Sequence, residues 1–250
     1  MFSSTITQFW DEQLSGTTVL VDTPQLHLAI RPALPSNRRL VLLSDEQGLC
    51  RAVIEPALAE ALGESLRQCH DEAGLRALLR SEDLELHGAD QLFYWPESVA
   101  AELQSEATVA GIRQLDEHDE PAFAEFQAQA SEDDLDAAFV ELDHWAVFGA
   151  FDAAGRLLCA ASAYAWDEAP LADLGVLSRP EARRRGLACQ VLRALAGHAL
   201  SHGLQPQYRS QLDNKASLAL ARAAGLQAFA RWDVLTPDDE DDEAFDEELS

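Results

Sequence analysis

A short turn rich in arginine is the part of this sequence whose residue types are best suited to chemistry. Five arginines fall within 15 residues, although the whole chain has only 18 basic against 44 acidic side chains. Backbone N–H groups at the start of a helix have no partner within that helix, and the helix dipole is positive there. The small residues Gly186 and Ala188 would let an anion approach the main chain, and guanidinium groups would add charge-assisted hydrogen bonds. The turn therefore predicts an anion site, although a solvated surface turn can have the same composition. The five arginines are Arg179, Arg183, Arg184, Arg185 and Arg193.

The elements that must position this turn are predicted from the second half of the chain. A stripe of Leu187, Val191, Leu195 and Ala199 predicts an amphipathic helix that Gly203 ends. Apolar runs before the turn predict an antiparallel meander of three strands. Asp119 and Pro121 begin one helix, and Ser131 with Asp134 resembles a capping box for a second helix that continues to Glu141. The predicted strands are 112–115, 145–151, 157–166, 171–177, 208–212 and 227–234, with a further helix over 215–224.

The first hundred residues predict a small α+β unit of their own. Strands are indicated at 18–21, 26–30 and 40–43, and helices from Pro56 to Gly63 and over 71–79. Residues 84–95 are interpreted as a hairpin with its turn at 87–90. The polar, alanine-rich stretch 97–108 is interpreted as a boundary. We therefore expect a domain over 1–105, a second over 111–236, and an acidic, disordered tail over 237–250.

Two motifs in the second half carry a resemblance to a known family. The run GVLSRPEARRRGLA resembles the acyl-CoA-binding motif of the GNAT superfamily of N-acetyltransferases, in which Arg183, Gly186 and Ala188 fill the defining places. Further on, Asn214 and Ser217, followed by Gly225-Leu226, are similar to the asparagine-containing helix of that superfamily. The resemblance covers roughly 111–235 and leaves the first hundred residues unexplained.

The resemblance implies an α/β (α+β) fold with a mixed sheet that is splayed at its middle and flanked by helices, preceded here by the small α+β domain. It implies acetyl-CoA as the acyl donor, with no metal, and a primary amine that attacks the acetyl carbonyl directly in a ternary complex. One backbone N–H of the strand before the turn could act as an oxyanion donor. The implied cofactor-binding residues are Leu174, Gly175, Val176, Leu177, Arg183, Arg184, Arg185, Gly186, Leu187, Ala188, Asn214 and Ser217.

The catalytic residues that the resemblance implies are only partly present. Asp173 is the candidate general base, since related enzymes often place an acidic residue near this point; Asp167 and Glu168 are alternatives. Many members carry a tyrosine seven positions after the asparagine, and that position is Ala221 here. Tyr208 is a weak candidate for the missing general acid, with Tyr164 as another. The alternative function is therefore a catalytically weakened sensor of CoA or acyl-CoA, or a protein-interaction module.

Composition limits the partners further. A formal net charge of −26 argues against a nucleic-acid-binding surface and favours a cationic acceptor amine. No apolar run of membrane-spanning length and no signal peptide occurs in the sequence, so we expect a cytoplasmic protein without a membrane partner. His198 and His202 lie four apart, but no third metal ligand accompanies them. The four cysteines, among them Cys189, have no CxxC spacing and are interpreted as reduced thiols. The oligomeric state and the identity of the acceptor stay open.

Overall fold

The computed structural model describes residues 1–107, 109–166 and 169–237. The chain forms two compact units that interleave in sequence. Unit one consists of Met1–Ile6, Phe93–Arg209 and Asn214–Gln227. Unit two consists of Thr7–Leu92, Ser210–Asp213 and the described residues from Ala228 to 237. A single cut near residue 105 does not separate these units, because the chain re-enters unit two after Gln227. The domain limits 1–105 and 111–236 stay a prediction, and the acidic tail from 238 lies outside the described residues.

Unit two is built on a mixed sheet whose strands lie in the order β1 (Thr18–Asp22), β2 (Leu26–Ile30), β4 (Cys50–Ile54), β3 (Leu40–Asp45) and β11 (Gln227–Leu235). The last strand returns from the far end of the sequence, and its residues Ala230–Leu235 pair antiparallel with β3. The strands and helices pack around a core that includes Leu26, Leu42, Ile54 and Leu75, each at most 1% exposed. The elements that lie in unit two or continue into it are α1 (Ser4–Gln13), β1 (Thr18–Asp22), β2 (Leu26–Ile30), β3 (Leu40–Asp45), β4 (Cys50–Ile54), α2 (Pro56–Leu62), α3 (Glu64–Arg67), α4 (Glu72–Ser81), β5 (Asp90–Tyr94) and β11 (Gln227–Leu235).

Unit one contains the predicted meander. Its strands lie in the order β10 (Gln205–Gln211), β9 (Leu171–Ser178), β8 (Leu157–Ala165), β7 (Ala146–Phe151) and β6 (Ile112–Gln114). Neighbouring strands from β6 to β9 pair antiparallel, whereas β9 and β10 pair parallel. The structure therefore has the expected mixed α/β sheet flanked by helices. The elements that lie in unit one or begin there are α5 (Glu97–Ser105), β6 (Ile112–Gln114), α6 (Glu120–Gln127), α7 (Glu132–Ala138), β7 (Ala146–Phe151), β8 (Leu157–Ala165), β9 (Leu171–Ser178), α8 (Leu187–Ser201), β10 (Gln205–Gln211) and α9 (Lys215–Ala223).

Strands β9 and β10 separate part-way along their length. Their paired residues run from Leu171 with Gln205 to Leu174 with Tyr208. Strand β9 nevertheless continues to Ser178, and β10 also runs on beyond its last paired residue. Residues Gly175–Ser178 pair with β8 on one side. Their backbone on the other side lies beyond the parallel ladder, so the sheet is splayed as expected.

Helices α7 and α8 lie on opposite faces of this sheet. Phe148 of β7 lies against His198 of α8, with ring centroids 5.4 Å apart, and Phe148 pairs with Ala161 of β8. Successive residues of a strand point to opposite faces. Ser162 and its pairing partner Gly175 therefore face away from α8. A Cβ on Gly175 would lie 2.1 Å from the Ala138 carbonyl oxygen, which places the end of α7 on that face.

Some helices begin at a side-chain cap, and one predicted helix ends early. The Ser131 hydroxyl accepts a hydrogen bond from the Asp134 N–H at 3.2 Å, as the capping box predicts. The helix was expected to reach Glu141 but ends at Ala138. Phe139 adopts a left-handed conformation with φ of 43°, which turns the chain out of the helix.

Another prediction for the chain before residue 110 was wrong. The proposed hairpin over 84–95 contains one strand, β5, because Leu84 and Leu86 pack against the core of unit two instead of forming a strand. The stretch interpreted as a boundary contains α5, which buries Leu103 against α8. Within the three described ranges, no helix is both long and apolar enough to cross a bilayer.

Candidate active site

The five arginines near the turn have different roles in the structure. Arg179 is buried, donates to the Leu157 carbonyl at 2.8 Å and pairs with Glu125, so it holds strands together. Arg193 pairs with Glu106 at 2.6 Å, and Arg183 pairs with Asp134 at 2.8 Å. Arg184 and Arg185 are exposed and make no ion pair with any residue that the structure describes. These last two are the arginines available to an anion.

The turn leaves the N-terminus of α8 without a side-chain cap. Arg184 and Gly186, in the loop before α8, both adopt the left-handed backbone conformation, with φ of 60° and 79°. Gly186 is the N-cap of α8, and no side chain caps the helix there. A Cβ added to Gly186 would meet nothing within 4 Å. The first N–H groups of a 15-residue helix, including those of Leu187 and Ala188, are therefore open to a ligand.

The strand residues predicted to contact the cofactor lie where the sheet splays. Leu174 belongs to the last pair of the parallel ladder, and Gly175, Val176 and Leu177 follow it. Leu174 and Leu177 are buried, whereas Gly175 and Val176 are half-buried. Their separation from β10 leaves main-chain groups of this edge available for hydrogen bonds.

Asp173 is almost completely buried and is the centre of a network of hydrogen bonds. Its Oδ2 accepts from the Tyr164 hydroxyl at 2.8 Å and from Arg209 Nε at 2.7 Å. Its Oδ1 accepts from Gln207 Nε2 at 3.1 Å. The guanidinium of Arg209 also lies 4.4 Å from the ring centroid of Trp166. Both carboxylate oxygens are thus occupied, and the role of Asp173 as a general base stays a prediction.

The Tyr164 hydroxyl is held as a hydrogen-bond donor by this network. Burial, followed by the negative charge of Asp173, raises the pKa of Tyr164 far above its usual value. The phenol therefore stays protonated at any physiological pH. It ties β8 to the carboxylate of β9.

A histidine that the sequence did not single out lies on the same face. His144 Nδ1 is 2.8 Å from the Ser162 hydroxyl, and its ring centroid is 5.0 Å from Phe139 and 5.1 Å from Tyr164. Burial lowers the pKa of His144 below its usual value, although Asp143 and Glu141 act in the opposite direction. Ser162 is fully buried and His144 is half-buried. The two residues lie 18 positions apart in the chain, and no spacing motif indicates that they pair.

The other predicted residues lie around α9. Asn214 is the N-cap of that helix and accepts from the Ser217 N–H at 3.0 Å. The Ser217 and Tyr208 hydroxyls are 2.6 Å apart, and burial raises the pKa of Tyr208. Ala221 is completely buried. The predicted cofactor and catalytic roles of Asn214, Ser217 and Tyr208 stay predictions.

The remaining candidates do not join this site. Asp167 and Glu168 lie outside the described residues. His198 and His202 stack on each other with centroids 4.3 Å apart, and no group of three metal-ligating side chains occurs in the described ranges. Burial raises the pKa of the Cys189 thiol, which disfavours a reactive thiolate at the start of α8.

Comparison with known families decides the assignment of the fold. The model of the GNAT acetyltransferase family matches residues 94–235, more than half of the chain. The chain belongs to the GNAT acetyltransferase family. The matched range contains the turn, the splay and the Asp173 network, and a general capacity for acetyl transfer follows from membership. A search of curated protein sequences finds no match.

Three solved structures are similar to this chain, and the first of them, with a TM-score of 0.50, agrees with this family fold. An acetyltransferase of the GNAT family from Colwellia psychrerythraea is similar over 78% of this chain and 80% of its own, with 18% identity and a TM-score of 0.50. A GNAT-family acetyltransferase from Novosphingobium aromaticivorans is similar over 61% of this chain and 66% of its own, with 21% identity and a TM-score of 0.45. An aminoglycoside N-acetyltransferase in complex with CoA covers 46% of this chain and 90% of its own, with 23% identity and a TM-score of 0.37. At these identities, the similarity concerns the fold.

Proposed function

We propose that this GNAT member transfers the acetyl group of acetyl-CoA to a primary amine, by direct attack of the amine in a ternary complex. The observation that carries the proposal is the combination of the open α8 N-terminus with the splay that begins after Leu174. A strand edge with free main-chain groups leads directly into an anion-binding turn. That order suits a long ligand with an amide-bearing arm at one end and phosphates at the other. The binding-only alternative gains no support from the family assignment.

The turn fits a pyrophosphate. Gly186 leaves the space beside it open, and Arg184 and Arg185 are exposed next to it. Phosphate oxygens would accept hydrogen bonds from the first backbone N–H groups of α8, where the helix dipole favours negative charge. The thioester arm would lie along Gly175–Leu177, with a backbone N–H polarising the acetyl carbonyl.

The acceptor is proposed to be a cationic amine. The chain has a net charge of −26, which attracts cations and raises their concentration at its surface. The Asp173 carboxylate is neutralised by Arg209 and is proposed to organise the acceptor side of the site. Tyr208, with its raised pKa, retains its proton and could supply it to the departing thiolate.

The test is calorimetric titration of the full chain with acetyl-CoA, using CoA and ATP as comparators. Saturable binding of acetyl-CoA and CoA, but not ATP, is expected. The release of CoA is then followed with a panel of primary amines: a diamine, an arylethylamine, an amino-acid amide and a lysine-containing peptide. Absence of acetyl-CoA binding at millimolar ligand would refute the proposal.

The double substitution Arg184→Ala and Arg185→Ala is expected to weaken acetyl-CoA binding about 30-fold. Two exposed charge-assisted contacts of about 1 kcal/mol each give roughly 2 kcal/mol, and 1.4 kcal/mol corresponds to a tenfold change in affinity. Both side chains are exposed, so the fold should be unaffected. Calorimetry at constant ionic strength measures the effect.

The matched control is the double substitution Arg67→Ala and Arg80→Ala. It removes the same net charge from two exposed positions outside the turn. If both double variants weaken acetyl-CoA binding equally, the effect arises from net charge, and the assignment of the turn to the phosphates is wrong.

A further inference from the structure

His144 and Ser162 form a paired unit that the sequence motifs did not identify. The Ser162 hydroxyl lies 2.8 Å from His144 Nδ1 and 3.5 Å from the Phe139 carbonyl oxygen. A carbonyl oxygen can only accept, so the serine proton points toward Phe139 when both contacts are satisfied. His144 Nδ1 must then carry a proton and donate it to Ser162. The lone pair of the neutral ring is therefore on Nε2.

The position of the pair is set by the sheet register. Ser162 of β8 pairs with Gly175 of β9, which is the first residue beyond the parallel ladder. Both residues face away from α8, the helix whose N-terminus forms the anion site. Tyr164 and Asp173 are also a register pair, and each lies two positions along its strand from Ser162 or Gly175. Side chains two positions apart on a strand share a face, so all four residues lie on the same face. The His144 ring thus lies on the face of the sheet opposite α8, one strand away from the point where the ladder ends.

The groups around the ring keep it neutral and oriented. Phe139 and Tyr164 contact the ring from two sides. Asp143 and Glu141 are the acidic groups of its own loop, while Asp173 and Arg209 lie behind Tyr164 and neutralise each other. Burial outweighs the two loop acids and lowers the pKa of His144. A half-buried, neutral imidazole with a fixed tautomer is the form that a general base requires.

We propose that His144 is the residue that accepts the proton from the acceptor amine, and that Ser162 is the positioning residue that fixes its tautomer. The assignment rests on the proposed acetyl transfer and names its proton acceptor. The amine nitrogen attacks the carbonyl carbon of the acetyl thioester, a C–N bond forms and the C–S bond breaks. The electron pair leaves on the CoA sulfur, and the surplus amine proton passes to His144 Nε2. The imidazolium then returns its proton to solvent.

The first experiment requires no acceptor. Nitrogen-15 NMR of histidine-labelled full-length protein is expected to show the Nδ1–H tautomer for His144 in the neutral ring. Assignment uses His144→Gln, and Ser162→Ala is expected to shift the population toward the Nε2–H tautomer. A wild-type ring protonated at Nε2 overturns the proposal.

The second experiment measures the pH dependence of kcat and kcat/KM with the amine of the panel that releases CoA fastest. His144→Gln is expected to lower kcat about 100-fold, in line with the usual contribution of a general base. The acid limb of the wild-type kcat profile, where protonated His144 is inactive, should disappear. Ser162→Ala should lower kcat about tenfold and shift that limb, with the acetyl-CoA Kd unchanged in both variants.

The matched control is His118→Gln, which alters an exposed histidine in the same unit and should change neither rate nor profile. An unchanged kcat and pH profile in His144→Gln, with intact acetyl-CoA binding, overturns this inference and leaves the proposed function standing. Failure of the wild-type protein to bind acetyl-CoA overturns the proposed function itself. The calorimetric and kinetic measurements therefore separate the two failures.

Discussion

Replacement of Asp173 by alanine is expected to destabilise the protein by about 3–5 kcal/mol. Asp173 is 3% exposed, and removing one partner of a buried ion pair leaves the other charge without compensation. The substitution would remove the acceptor of Arg209 Nε, of the Tyr164 hydroxyl and of Gln207 Nε2 at once. Denaturant unfolding of the full chain, followed by circular dichroism, measures the loss.

Two variants set the scale of that effect. Asp134→Ala breaks the ion pair with Arg183, in which both side chains are more than 40% exposed, and should cost no more than about 1 kcal/mol. Asp173→Asn retains the shape of the side chain and should be less harmful than Asp173→Ala. Equal losses for the alanine variants at positions 134 and 173 would contradict the stabilising role assigned to the buried network.

The substitution Gly175→Ala is expected to cost about 3 kcal/mol and to lower acetyl-CoA affinity as well. The new Cβ would lie 2.1 Å from the Ala138 carbonyl oxygen and 2.9 Å from that of Phe139. Both neighbours are backbone atoms, so relief requires a shift of the chain at the end of α7. Overpacking typically costs about 1–3 kcal/mol, and backbone clashes lie at the upper end. Unfolding and calorimetric titration measure the two effects.

Gly149→Ala is the matched control, because Gly149 also lies in a strand of unit one. Its new Cβ would lie 2.6 Å from Leu157 Cδ1 and 3.0 Å from Leu115 Cδ2. These atoms are the ends of flexible side chains, which can move at lower cost. A larger loss of stability in Gly149→Ala than in Gly175→Ala would show that the approach of α7 to β9 is not the constraint we infer.

The sequence predicted the elements of the family region well because they carry local signals. The strands of the meander consist of alternating apolar and polar residues or of continuous apolar runs. Helix α8 has an apolar stripe in which Val191, Leu195 and Ala199 are completely buried. Elements without such a signal were missed. Helix α5 is polar and alanine-rich, which resembles a linker, and the packing of its Leu103 against α8 is revealed only by the tertiary structure.

The candidate site was predictable at the arginine-rich turn and much less so around Asp173 and His144. Gly186 and the adjacent arginines indicate the turn by their residue types. The sequence could not reveal that Arg179 is buried and that Arg183 forms an ion pair with Asp134. The partners of Asp173 come from β8 and β10, and their proximity depends on strand register. His144 stands alone in a loop, so its pairing with Ser162 had no sequence signature.

Because β11 pairs with β3 from the other end of the sequence, no single cut divides this chain into two fragments that each keep their strand partners. Six residues, Ala230–Leu235, form a ladder with Leu40–Asp45 of β3. On its other side β3 pairs antiparallel with β4, which pairs parallel with β2, and these three strands all lie in the first sixty positions. A fragment starting after position 105 would keep β11 while losing its partner. Its β11 would be an unpaired edge strand that exposes Trp232, Val234 and Leu235, which are buried in the intact chain. We expect such a fragment to self-associate.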